Sequence, residues 1–202
     1  MAPRTWCRFA TVSPVEKAGW FEADDGLDEV QSAFVEVLRA RAATWPLTPG
    51  DTMLFLPEYD AYGYSLSPGE STYGKLLVCV DIADDLEHVV LLTVGAYFDR
   101  ESVRGDEVHN QLLTLPEQPT RLAMHATGSP EDLGNRTADW FETTLRLPAL
   151  RCEWLRDGAV YAKRWLIGDP ERGLADAQAR VAALKVGSSP PDRIVHIRGD
   201  RQ

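Results

Sequence analysis

The dipeptide Asp157-Gly158 constrains this chain more than any other feature. A two-residue type I′ turn needs positive φ at both central positions, and Asp-Gly set between β-branched and aromatic residues supplies it. Residues 150–166 therefore read as a β-hairpin, Leu150-Arg151-Cys152-Glu153-Trp154-Leu155-Arg156 returning as Ala159-Val160-Tyr161-Ala162-Lys163-Arg164-Trp165-Leu166. A regular ladder from this turn sets Arg156 opposite Ala159, Leu155 opposite Val160, Trp154 opposite Tyr161, Cys152 opposite Lys163, Arg151 opposite Arg164 and Leu150 opposite Trp165. Because side chains alternate along a strand, one face carries Leu150, Cys152, Trp154, Tyr161 and Trp165. The other carries Arg151, Glu153, Leu155, Val160, Ala162 and Arg164.

That register places two like charges, Arg151 and Arg164, directly across from one another, which is unfavourable without a negative group nearby. Glu153, two residues along on the same face, is the favoured answer as an internal ion pair; a bound carboxylate or phosphate is the alternative. Arg151, Glu153 and Arg164 are accordingly the candidate ligand or anion site. Cys152 lies among aromatics and opposite Lys163, whose charge favours a thiolate, but burial opposes it, so Cys152 reads as a small core residue in preference to a reactive thiol.

The elements around the hairpin follow from periodicity. Val30, Phe34, Val37, Leu38 and Arg41 recur at helical spacing after a cap at Asp24 or Asp25, and Trp45-Pro46 ends that helix. Asp51 to Leu56 reads as a short strand, and residues 57–74 as a long loop rich in tyrosine. Leu76–Ile82 and Val89–Phe98 are near-continuous apolar runs, the pattern of strands covered on both faces. Either more of this chain or a second copy of it must then cover the far side of the sheet, which makes a homodimer an expectation. Asp106–Leu113 reads as a short helix, Arg121–Thr127 as a strand, and Ser129 with Asp132 as the opening of a helical turn. A further helix spans about 136–146, an Ala-rich one about 174–186, and Arg193–Arg198 forms a last strand. Residues 1–24 give no defined element.

Composition excludes several classes of function. The 202 residues hold 21 Lys and Arg against 31 Asp and Glu, a net charge of -10, so the chain lacks the positive field that binds phosphate backbones. Nucleic acid is therefore not an expected partner. Neither a membrane span nor a basic-then-apolar leader is evident, and three widely spaced cysteines fit no disulfide framework or zinc site, so the expected compartment is the cytoplasm. A length of 202 residues suits a single domain.

Four motifs carry chemistry on paper. Gly69-Glu70-Ser71-Thr72-Tyr73-Gly74-Lys75 matches the first seven positions of a phosphate-binding loop, but Leu76 replaces the magnesium-binding hydroxyl and a strand, not a helix, follows. Gly63-Tyr64-Ser65-Leu66-Ser67 lacks the second glycine of a nucleophile elbow. Asp106, Glu107, His109 and His125 could approach a metal but follow no recognised ligand spacing. Tyr59, Tyr62, Tyr64 and Tyr73, interleaved with acids, offer rigid amphipathic contact area of the kind found at interaction surfaces. No cofactor or metal is implied, and no complete catalytic motif is present.

Ala138-Asp139-Trp140-Phe141-Glu142, Glu153-Trp154, Val160-Tyr161-Ala162 and Pro191-Asp192-Arg193-Ile194-Val195-His196-Ile197-Arg198-Gly199-Asp200 give roughly the last third of the chain a resemblance to a group of uncharacterised actinobacterial, Streptomyces-type proteins. The resemblance implies a recurring helix-plus-hairpin unit and no known activity. The expectation is a single α+β domain over residues 1–202, a mainly antiparallel sheet with helices packed on it. Its expected function is non-catalytic binding or regulation, engaging a protein partner through an acidic, tyrosine-rich surface. The alternative is a small-molecule-binding domain or enzyme with a pocket between the tyrosine-rich loop and the hairpin.

Overall fold

The computed structural model describes residues 19–22, 26–56, 75–109, 112–168 and 190–200. Helix α1 (Glu29–Ala42) is opened by a reciprocal capping box: the Asp28 carboxylate accepts from the Gln31 amide at 2.9 Å and the Gln31 side chain accepts from the Asp28 amide at 3.1 Å. The cap is Asp28, not Asp24 or Asp25. A short 3-10 turn, Pro49–Asp51, leads into β1 (Thr52–Phe55), and β2 (Leu76–Asp84), β3 (Val89–Asp99), β4 (Ser102–Glu107) and β5 (Met124–Thr127) follow. These five strands pair in chain order as an antiparallel meander. Residues 106–107, expected in a helix, instead end strand β4. The Arg-Gly-Asp-Glu run has little strand propensity, and its pairing with β3 on one side and β5 on the other overrides that.

Helix α2 (Pro130–Leu145) begins earlier than its apolar spacing alone suggests. Ser129 accepts from the Asp132 amide at 3.2 Å, and Pro130 occupies the first helical position, where a missing N–H costs nothing. The expected opening turn and the expected helix from about residue 136 are thus one element. Helices α1 and α2 pack together on one face of the meander, burying Phe34, Leu38, Leu133 and Phe141 against Val78, Val80, Val94 and Phe98. Phe34 stacks on Phe98 with centroids 4.3 Å apart. The helices approach closely at Gly134, where an added Cβ would lie 2.9 Å from the Phe34 carbonyl oxygen.

On the opposite face of the meander, Leu77, Cys79, Tyr97 and Val108 form a smaller cluster with Leu113 and Leu115 packed against it. The second covering that the apolar runs demand thus comes at least partly from the same chain. The hairpin strands β6 (Ala149–Arg156) and β7 (Ala159–Ile167) do not join the meander. They form a second antiparallel sheet with β8 (Arg193–Arg198), in the order β7-β6-β8. Ala149 and Ile167 bury into the main core, with Trp165 and Ile197 packed on it, so two sheets and two helices share one interior. The α+β class holds, with two antiparallel sheets among the described residues in place of one. Among the described residues, no helix is long and apolar enough to cross a membrane.

Exchanging glycine for alanine inside a helix ordinarily stabilises it by about 1 kcal/mol. Gly134→Ala is predicted to do the reverse and lose roughly 1–2 kcal/mol, because the backbone carbonyl it meets cannot move aside without parting the helices. Urea unfolding measures the sign, and a stabilised variant would contradict the packing described.

Candidate functional site

The turn that organises the hairpin forms as the sequence requires, with Asp157 at φ 53° and Gly158 at φ 79°. Arg156 faces Ala159 and Leu155 faces Val160. A β-bulge then intervenes: Trp154 pairs with Ala162, Glu153 with Lys163, Cys152 with Arg164, Arg151 with Trp165 and Leu150 with Leu166. Tyr161 is the extra residue, and its exposed ring lies under the Arg156 guanidinium, 4.7 Å from carbon to centroid. A one-residue slip exchanges the faces of the whole distal strand. Trp165 and Lys163 move to the side of Arg151 and Glu153, and Arg164 joins Cys152 on the other. The opposed arginines expected from a regular ladder do not occur.

Arg151 and Glu153 do come together, in the interior. The Arg151 Nε donates to Glu153 Oε1 at 2.7 Å and its Nη1 to Asp84 Oδ2 at 2.6 Å. Exposures of 7% for Arg151 and 1% each for Asp84 and Glu153 mean that these charges have left water, where only close partners make them tolerable. The partners are present. Trp165 Nε1 donates to Asp84 Oδ2 at 2.8 Å, and Arg193 Nε donates to Glu153 Oε2 at 2.6 Å. Glu87 lies 3.5 Å from Arg151 Nη1 and also accepts from Lys163. Asp84 Oδ1 has no hydrogen-bond partner among the described residues, a cost carried inside the network. Three acids, Asp84, Glu87 and Glu153, therefore balance three bases, Arg151, Lys163 and Arg193, across the junction of the two sheets.

Burial by itself pushes Asp84 up, but the hydrogen bonds from Trp165 and Arg151 outweigh it and hold the carboxyl below its ordinary range. Glu153 follows the same pattern, with burial overcome first by Arg193 and then by Arg151. Arg151 is desolvated too, yet its bonds to Glu153 and Asp84 keep it more firmly protonated than a free arginine. The cysteine thiols behave oppositely. Burial raises both Cys79 and Cys152, and the nearby Arg164 charge only partly offsets this for Cys152, so both are inert core thiols.

Arg164, the third candidate anchor, is exposed on the face away from this network. Tyr59, Tyr62, Tyr64 and Tyr73, the nucleophile-elbow-like Gly63–Ser67 and residues 69–74 of the phosphate-loop-like motif lie outside the described residues, as does the helix expected at 174–186. Lys75, which ends that motif, pairs with Asp99 at 2.9 Å. Asp106 accepts from the Thr120 amide at 2.9 Å and from its hydroxyl, and among the described residues no group of three metal-capable side chains occurs. The residues missed in the sequence are Asp84, Glu87, Lys163, Trp165 and Arg193. A signal for Asp84 existed: Leu76, Val78, Val80 and Ile82 face the core, and alternation carries the next even position, Asp84, to the same side. No family model matches this chain, and no curated protein or solved structure matches it either.

Arg151→Met is predicted to cost about 3–5 kcal/mol at pH 7, because it strands Asp84 without its cation. Arg164→Ala should change stability by less than about 0.5 kcal/mol. Asp84 and Glu153 titrate lower in the folded chain than in the unfolded chain, so the stability they contribute is complete above about pH 5 and is lost as pH falls below it. In Arg151→Met the orphaned Asp84 gains by taking up a proton, so the gap to wild type should narrow by roughly 1 kcal/mol or more between pH 7 and pH 4. Urea midpoints over that range test it, and a gap independent of pH would contradict it.

Proposed function

We propose that this protein is a non-catalytic binding or regulatory protein that engages a basic protein partner through an acidic surface, with Tyr59, Tyr62, Tyr64 and Tyr73 as its aromatic contacts. The observation that carries the reading is where the charge lies. The ion network is neutral by itself, three acids to three bases, so the whole surplus of ten negative charges belongs to the rest of the chain. An acidic exterior of this kind steers a basic partner at a rate that falls with salt, and clustered tyrosines supply contact area at low entropic cost.

The alternative, a small-molecule pocket between the tyrosine-rich segment and the hairpin, loses two of its three anchors. Arg151 and Glu153 are spent on each other and on Asp84 and Arg193. Only Arg164 remains on the hairpin as a candidate contact for an anion.

The test uses the full chain immobilised beside a variant with Tyr59, Tyr62, Tyr64 and Tyr73 all replaced by serine. The expected result is a partner of basic pI held by the wild type and released by the variant, with an association rate that falls roughly tenfold or more between 50 and 500 mM salt. An identical set of proteins on both surfaces, or salt-independent association, would overturn the reading.

A further inference from the structure

The outer face of the five-stranded meander, away from the helices, carries a pocket that none of the foregoing uses. Its volume is about 250 Å³, and Tyr97, Leu115 and Pro116 give it apolar walls. Tyr97 spends its hydroxyl on the Leu113 carbonyl, which fixes the ring and ties the chain beyond β4 across the sheet. This volume lies just below the roughly 300–1,000 Å³ of sites for drug-sized ligands and suits a single small metabolite.

The charges lining the pocket are informative because of how they pair. Lys75 is neutralised by Asp99 at 2.9 Å. Arg104 and Glu117 also line the pocket, both are exposed, and neither makes an ion pair or a side-chain hydrogen bond among the described residues. Opposite charges that share a pocket without meeting each other leave room for a ligand that offers a carboxylate to one and an ammonium to the other. Register explains the placement: Arg104 on β4 is paired with Tyr97 on β3, so the two side chains leave the same face of the sheet. A guanidinium takes a carboxylate in a forked, two-bond geometry, and the pocket as a whole carries no net charge to favour a pure anion or a pure cation.

The geometry points to a binding site for a free α-amino acid with an apolar or aromatic side chain. Arg104 receives the carboxylate, Glu117 receives the ammonium, and the side chain lies against Tyr97, Leu115 and Pro116. None of the residues lining this pocket belongs to the ion network, and the assignment does not rest on the partner-binding reading.

The experiment titrates the full-length protein with L-phenylalanine, followed by calorimetry and amide chemical shifts. Parallel titrations use 3-phenylpropionate, which lacks the ammonium, and phenethylamine, which lacks the carboxylate. Saturable binding of L-phenylalanine at millimolar or better affinity is expected, with both analogues weaker by roughly tenfold or more. Arg104→Gln and Glu117→Gln should each weaken L-phenylalanine by a similar factor while their thermal unfolding stays that of the wild type, since both residues are exposed. Arg164→Gln should bind normally. No saturable binding up to about 10 mM, equal binding of either analogue, or full affinity in Arg104→Gln would each overturn the assignment.

Discussion

The structure turns on the burial of one guanidinium. Arg151 sits where the second sheet meets the meander, and its charge is tolerable there only because Asp84 reaches it from β2 and Glu153 from its own strand. Each carboxylate in turn has a second donor, Trp165 for Asp84 and Arg193 for Glu153. Residues from β2, β6, β7 and the start of β8 are therefore fixed by one set of bonds. An apolar junction of similar size would tolerate sliding, whereas charged hydrogen bonds have direction and hold the two sheets to a single arrangement.

That junction also accounts for the bulge at Tyr161. A regular ladder would have turned Trp165 and Lys163 away from Arg151 and put Arg164 beside it, bringing a second cation to a site that needs acceptors and an indole donor. The extra residue reverses the distal half of β7, so that Trp165 reaches Asp84 and Lys163 reaches Glu87. The twist of the hairpin thus accommodates a packing requirement that originates on β2, about seventy residues earlier in the chain.

How much of this was legible follows from whether the cause was local. The hairpin turn depends on two residues and was readable, as were the two central strands and the Arg151–Glu153 pair, which needs only alternation along one strand. The register beyond Trp154 was not, because the bulge answers a contact with Asp84 that no local pattern encodes. Helix α2 was legible in its Ser129 opening turn and in its apolar stripe, but their continuity was hidden by Gly134 and Asn135, poor helix formers; Gly134 is there because only glycine lets the helices approach at Phe34. Strand β4 was hidden by charged and glycine residues with low strand propensity, held in place by neighbours on both sides. For the candidate site, Arg151 and Glu153 were legible from the hairpin, whereas Asp84, Glu87, Lys163, Trp165 and Arg193 join them only through tertiary pairing and the bulge.

A double-mutant cycle on Asp84→Asn and Arg151→Met, read by urea unfolding at pH 7, measures this coupling most directly. If the two residues hold the sheets together as one charged unit, the two single losses will exceed the loss in the double variant, with a coupling energy of roughly 2–3 kcal/mol. Losses that add within about 0.5 kcal/mol would show that Asp84 and Arg151 act independently, and the account of the junction as one charged unit would fail.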